Sequence, residues 1–151
     1  MGVWGVKALE SDEAYDLIRF LEEKLPEDNK IELSQVITLL QENNFLSSNF
    51  EDIDAFYDNN AVTIAELYLE FKDNGKFSFP YDDVSINIVK SFTADEVALR
   101  YLLELLTDIQ HNGERAVERE MVKFWRNSDR WESWKEHINI LIRRLEDELV
   151  R

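Results

Sequence analysis

Two histidines and no cysteine limit the chemistry this chain can carry. Without a thiol there is no sulfur nucleophile, thiolate metal site or disulfide. Asp108 and His111 stand three residues apart, so on a helix the carboxylate and imidazole face the same way, as in di-iron bundles. A second such pair is missing, because Trp134 stands three before His137. First-row ions want several convergent ligands, so no metal site is assigned, and His111 is read as a cation at a helix C-terminus. Glu10, Asp12 and Asp16 are hard-cation ligands by type, but carboxylates at a helix start are already explained by capping and the dipole. Neither histidine has a Ser-x-Gly elbow to serve, and the four glycines are scattered, whereas a phosphate cradle needs them clustered. No catalytic residue and no cofactor is assigned.

Arg115, Arg119, Lys123 and Arg126 recur at helical intervals and span roughly 80° of a helix expected over about 114–126. They fall opposite Val117, Met121 and Phe124, as an outward basic stripe. Such a stripe can meet phosphate or an acidic surface; its plainer use is a solvated face that pairs with the chain's own acids or with a second copy. Trp125, Trp131 and Trp134, near Arg126 and Arg130, have the composition of a base-stacking or hot-spot surface. Trp131 and Trp134 nevertheless lie on an apolar seam and are expected in the core.

Charge is unevenly spread. The 151 residues hold 32 acids and 17 bases, a net charge of −15. Residues 1–75 carry 17 of the acids and 5 of the bases. Between Lys30 and Lys72 there is no cation, while Glu32, Glu42, Glu51, Asp52, Asp54, Asp58, Glu66 and Glu70 are all acidic. Nucleic-acid backbones are repelled by such a segment, since affinity for them comes from neutralising phosphates. A basic protein is steered toward it. The same charge also serves plain solubility.

Helical spacing supplies the elements that position these groups. Ala14, Leu17, Ile18, Leu21 and Leu25 define a first helix capped by Ser11 or Asp12 and stopped by Pro26. Leu33, Val36, Ile37 and Leu40 define a second, over about 33–43. Ser48 and Glu51 form a capping box for a third, with Glu51, Asp54 and Asp58 opposite its apolar face. A fourth, about Ala61 to Lys72, is apolar nearly all round, leaving Thr63, Glu66 and Glu70 as a polar strip, the pattern of a central helix. Thr93 and Glu96 form a second capping box ahead of a long helix closed by Gly113. A last helix, from about Asp129 to Val150, carries the seam Trp131, Trp134, Ile138, Leu141, Ile142, Leu145 and Leu149. Residues 76–92 suit a short hairpin, or a helix beginning near Asp82. The reading is all-α: a single-domain helical bundle (1–151) of about six or seven helices, with a short irregular or β segment at 76–92.

The opening MGVWG, followed by ESDEAYD, resembles the start of the domain of unknown function 4259 family, which is uncharacterised and largely bacterial. Its members begin Met-Gly-x-Trp-Gly and continue Asp-Asn-Asp-x-Ala-x-Asp. Gly2, Trp4, Gly5, Asp12, Ala14 and Asp16 match that pattern, while Glu10 and Ser11 depart from it. Residues 61–66 (AVTIAE) are similar to the family's Ala-rich central helix, and MVKFW, Trp134 and ILIRRL to its closing pattern. The resemblance implies one helical domain, tips 81–91 toward helix and supplies no activity. It also implies structural roles for Gly2 and Gly5 around a buried Trp4. If the family shares a polar site, Asp12, Asp16 and Glu66 are its best candidates, beside a capping and buried-network role.

The leading expectation is a non-enzymatic interaction protein whose acidic surface, roughly 32–70, engages a basic partner, as immunity proteins that neutralise basic toxins do. The alternative is a small carboxylate- or metal-dependent enzyme using Asp12, Asp16 and Glu66. A third, nucleic-acid binding through the basic stripe, is disfavoured by net charge. Self-association of the acidic half with the basic stripe is a further expectation. No run approaches the roughly 18 apolar residues of a membrane helix, and the N-terminus does not read as a secretory signal, so the expected address is cytoplasmic.

Overall fold

Ser11 sets the start of the first helix. Its hydroxyl accepts the Ala14 amide at 3.2 Å and donates to the Ala8 carbonyl at 2.6 Å, fixing both the helix and the loop before it. The computed structural model describes residues 5–47, 54–77, 88–111 and 118–150. Among them are six helices: α1 (Asp12–Glu23), α2 (Leu33–Glu42), α3 (Ala55–Asn74), α4 (Glu96–Gln110), α5 (Glu120–Arg126) and α6 (Trp131–Leu149). Two three-residue strands, β1 (Lys30–Glu32) and β2 (Ser91–Thr93), complete the fold.

The expected third and fourth helices are one. Asp54 accepts the Phe56 amide at 2.8 Å and opens a 20-residue α3 that ends at Gly75, in the left-handed conformation (φ 71°) that glycine adopts without strain. Ser48 and Glu51 lie outside the described residues. Every residue from Asp58 to Leu69 is buried, so α3 is the central rod, packed against α1, α4, α5, α6 and β2. Thr63 and Glu66, two members of its polar strip, are therefore inside. The apolar stripes of α1, α2, α4 and α6 close around it in one contiguous core. On α6 that stripe is Trp134, Ile138, Leu141, Ile142 and Leu145, with Trp131 and Leu149 half-buried at its edge.

The turn and most of the residues of a hairpin over 76–92 lie outside the described residues, and the described end of the stretch pairs with a distant strand. Ser91–Thr93 pairs in parallel with Lys30–Glu32, in register Lys30↔Ser91, Ile31↔Phe92 and Glu32↔Thr93. Parallel strands need a long crossover, which here includes α2 and α3. Ile31 and Phe92 turn inward together, and the Lys90 amide extends the pairing to the Asn29 carbonyl at 2.8 Å. Residues 89–91 are not helical, contrary to what the resemblance implies; 81–87 lie outside the described residues. Because Thr93 belongs to β2, the cap of α4 falls to Asp95, which accepts the Ala98 amide at 2.8 Å. At the other end α4 closes on His111, with Gly113 outside the described residues.

Candidate functional site

The helix expected over 114–126 starts only at Glu120, and this changes the meaning of its cations. Arg119 is the residue just before α5, and its side chain enters the core fully buried. Its Nη1 donates to Asp58 Oδ1 at 2.8 Å, and its Nη2 donates to Asp108. Asp58, expected on an outer face, is itself 1% exposed. Burial pushes its carboxyl up to about 7 against the opposing pull of Arg119, with Asp108 and Asp54 adding to the rise. Burial lowers the Arg119 pKa, but Asp58 and Asp108 outweigh that loss and hold it above its ordinary value. The basic stripe is thus dismantled. Arg119 points inward, Lys123 and Arg126 stay exposed, Arg126 is tied to Glu118 at 2.5 Å, and Arg115 lies outside the described residues. Met121, Val122 and Trp125 form the buried side of α5, while Phe124 is 40% exposed.

Glu66 is a second buried centre. One carboxylate oxygen accepts the Leu9 amide at 2.9 Å; the other accepts the Ala8 amide at 2.8 Å and lies 2.6 Å from His137 Nε2. Asn59 donates to Ser11 Oγ at 3.0 Å, and Asn60 donates to the Phe45 carbonyl at 2.8 Å. The polar residues of α3 therefore hold the surrounding loops, which suits buried groups that must be hydrogen-bonded. Glu66 and His137 also line a groove of about 400 Å³ with Lys7, Glu70, Asp73 and Arg144, where Arg144 clamps Asp73 through two bonds of 2.6 and 2.7 Å.

Of the three carboxylates proposed for a polar site, Glu66 alone lines this groove; Asp12 and Asp16 are exposed on α1. Among the described residues, no three histidine or acidic side chains gather as a metal ion would require. Gly5 is buried, and a Cβ there would run into the Glu10 carboxylate, which accepts the Lys7 amide at 3.2 Å. Gly2, Trp4 and Glu51 lie outside the described residues. Asp54 is exposed and occupied with capping α3. His137 has no acid three residues before it; its partner, Glu66, is 71 residues away on α3. The clue was an acid inside an otherwise apolar helix, which needs a buried partner.

Past Lys72, Asp73 pairs with Arg144, Glu96 with Arg100, Glu132 with Lys135 and Glu136 with Arg143, while the exposed Asp95, Glu104, Glu120, Asp129, Glu146 and Asp147 make no ion pair among the described residues. Between Lys30 and Lys72, the exposed Glu32, Glu42 and Asp54 make no ion pair among the described residues. Glu32 lines a hydrophobic cavity of about 230 Å³ with Leu21, Lys24, Leu25, Pro26, Ile31, Gln35, Val36 and Leu39.

A central helix whose buried polar groups tie down its loops, under an acidic outer face, defines the class as a helical bundle with a small parallel β ladder. The chain belongs to the family described as Domain of unknown function (DUF4259), whose family model matches residues 2–137. That match runs from the opening loop to His137, and so includes both buried charge centres. No curated protein and no solved structure matches the chain. Among the described residues, no helix is long and apolar enough to cross a membrane.

Proposed function

We propose that this protein is a non-enzymatic interaction module that uses its acidic face to bind a basic protein partner, an immunity-like role being one example of the class. The observation that carries the reading is the stretch between Lys30 and Lys72, which holds no cation and whose exposed Glu32, Glu42 and Asp54 make no ion pair among the described residues. Carboxylates without an internal cation project their field outward, which steers a cationic protein and is then neutralised by it. Nucleic acid is not a partner in this reading, and its setting is the cytoplasm. Pull-down from a native lysate at low and high salt tests it. A cationic protein captured at low salt and released at high salt is expected; no cationic partner, or one indifferent to salt, contradicts it.

A second reading has one observation in its favour. A carboxylate that orients an imidazole beside a groove is an arrangement general bases use, and Glu66 with His137 supplies it. It replaces the expected trio of Asp12, Asp16 and Glu66 by this pair. Turnover of an ester or phosphoester substrate that disappears in His137→Gln, with the fold intact, would favour it over the interaction reading.

A further inference from the structure

We infer that the groove between the C-terminal part of α1, β1 and the outer face of α2 seats the apolar face of a cationic amphipathic helix belonging to the partner. This rests on the interaction reading above and names the surface and the chemistry it fits.

The floor is made by Leu21, Leu25, Ile31, Val36 and Leu39, around a cavity of about 230 Å³. Leu25 and Leu39 are only half-buried, so the protein's own packing leaves apolar surface uncovered there. The cavity continues into a second depression along α2, which shares Gln35 and Leu39 with it and ends at Glu42. The two together run from Glu32 to Glu42, a span of about 15 Å at 1.5 Å per residue. A trough of that length, apolar around Leu21, Leu25, Ile31, Val36 and Leu39 and polar past Leu39 at Ser34, Thr38 and Glu42, matches about three turns of a docked amphipathic helix, whose anchors recur every three or four residues.

Charge selects the sign of the occupant. Glu32 and Glu42 stand at the two ends of the trough, both exposed and without an ion pair among the described residues. Glu23, Glu27 and Asp28 are exposed on the adjoining end of α1 and its following turn. Lys24, the cation lining the trough, has its ammonium over the Phe20 ring at 5.9 Å. A helix with an aliphatic stripe and lysines or arginines on its flanks, about ten residues apart, would bury the floor and neutralise both ends at once. Anionic or uncharged helices would leave these carboxylates partly desolvated and unpaired, which is costly.

Fluorescence anisotropy on the full chain tests this with a labelled 15-residue helical peptide carrying leucines on one face and lysines on the other. Two companion peptides replace its leucines by serines or its lysines by glutamates. The Leu/Lys peptide is expected to bind at low salt at least about tenfold more tightly than either companion. Leu39→Ser should weaken it about tenfold, and so should Gln35→Trp, which fills the trough from an exposed position without touching the core. Glu32→Gln with Glu42→Gln should flatten the salt dependence. Equal binding of the Leu/Lys and Ser/Lys peptides, or unchanged binding in both trough variants, overturns the inference while leaving the acidic module standing. Failure of both cationic peptides to bind at low salt counts against both. Concentration-dependent dimerisation abolished by Gln35→Trp would make a second copy the occupant and also overturn it.

Discussion

The Arg119 guanidinium and the Asp58 carboxylate meet at 2.8 Å inside the core, although 61 residues separate them. The pair joins the start of α5 to the first turn of the central helix, and Asp108 brings in α4. Removing one member of such a buried set leaves an uncompensated charge, at a cost of about 3–5 kcal/mol. Arg119→Ala should therefore lower unfolding free energy in urea by about that amount. Lys123→Ala, on the exposed side of α5, should stay within about 0.5 kcal/mol of the parent. Similar effects for the two would contradict the inward placement of Arg119.

The Asp58 carboxyl gives this centre a signed pH dependence. Its folded pKa, about 7, lies above the ordinary 3.8, so between those values the folded state holds more protons than the unfolded one. Its contribution to stability is full below about 3.8 and is lost as pH rises through about 7. The stability difference between the parent and Asp58→Asn should accordingly shift against the parent as pH goes from 4 to 7, measured by urea unfolding across that range. A difference that moves the other way would mean that Arg119 holds Asp58 ionised throughout.

Both buried centres show where sequence reading reached and where it stopped. The apolar spacing of residues 12–23, 33–42, 96–110 and 131–149 marks helices because one face of each must leave water, and periodicity reports that directly. Central placement of the α3 segment was legible for the same reason. Periodicity does not say whether a charged residue on such a helix faces water or a distant partner. Spacing alone sets Asp58 and Arg119 on outer faces, because they find each other across 61 residues, and it does not pair Glu66 with His137, 71 residues further on. The three-residue strands were invisible, being too short for any alternation to register. Asp108 stands at metal-ligand spacing from His111, but its carboxylate serves Arg119.

The start of α4 separates two capping schemes. Asp95 accepts the Ala98 amide at 2.8 Å, while Thr93 belongs to the parallel ladder. Asp95→Ala should cost about 1 kcal/mol, the usual value of a lost N-cap. Thr93→Ala, at an exposed strand position, should cost well under half of that. Thermal unfolding of the two variants checks the order, and the reverse ranking would restore the capping box at Thr93.

Glu66 makes a prediction about local order. Its carboxylate holds the Ala8 and Leu9 amides, so Glu66→Ala should speed hydrogen exchange at both and lower stability by about 1–3 kcal/mol. His137→Gln leaves the carboxylate in place and should keep both amides protected. Loss of protection in His137→Gln as well would show that the imidazole, and not the carboxylate alone, secures the loop.

That cationic partners meet the exposed α1–α2 face while the buried centres stay out of recognition is tested most directly by an amide NMR titration with the Leu/Lys peptide at low salt. Salt-reversible shifts at Leu25, Glu32, Gln35, Leu39 and Glu42 are predicted, with Ala8, Leu9 and His137 unmoved. Shifts concentrated at Lys7, Glu66, Glu70 and His137, or none at all, would contradict it.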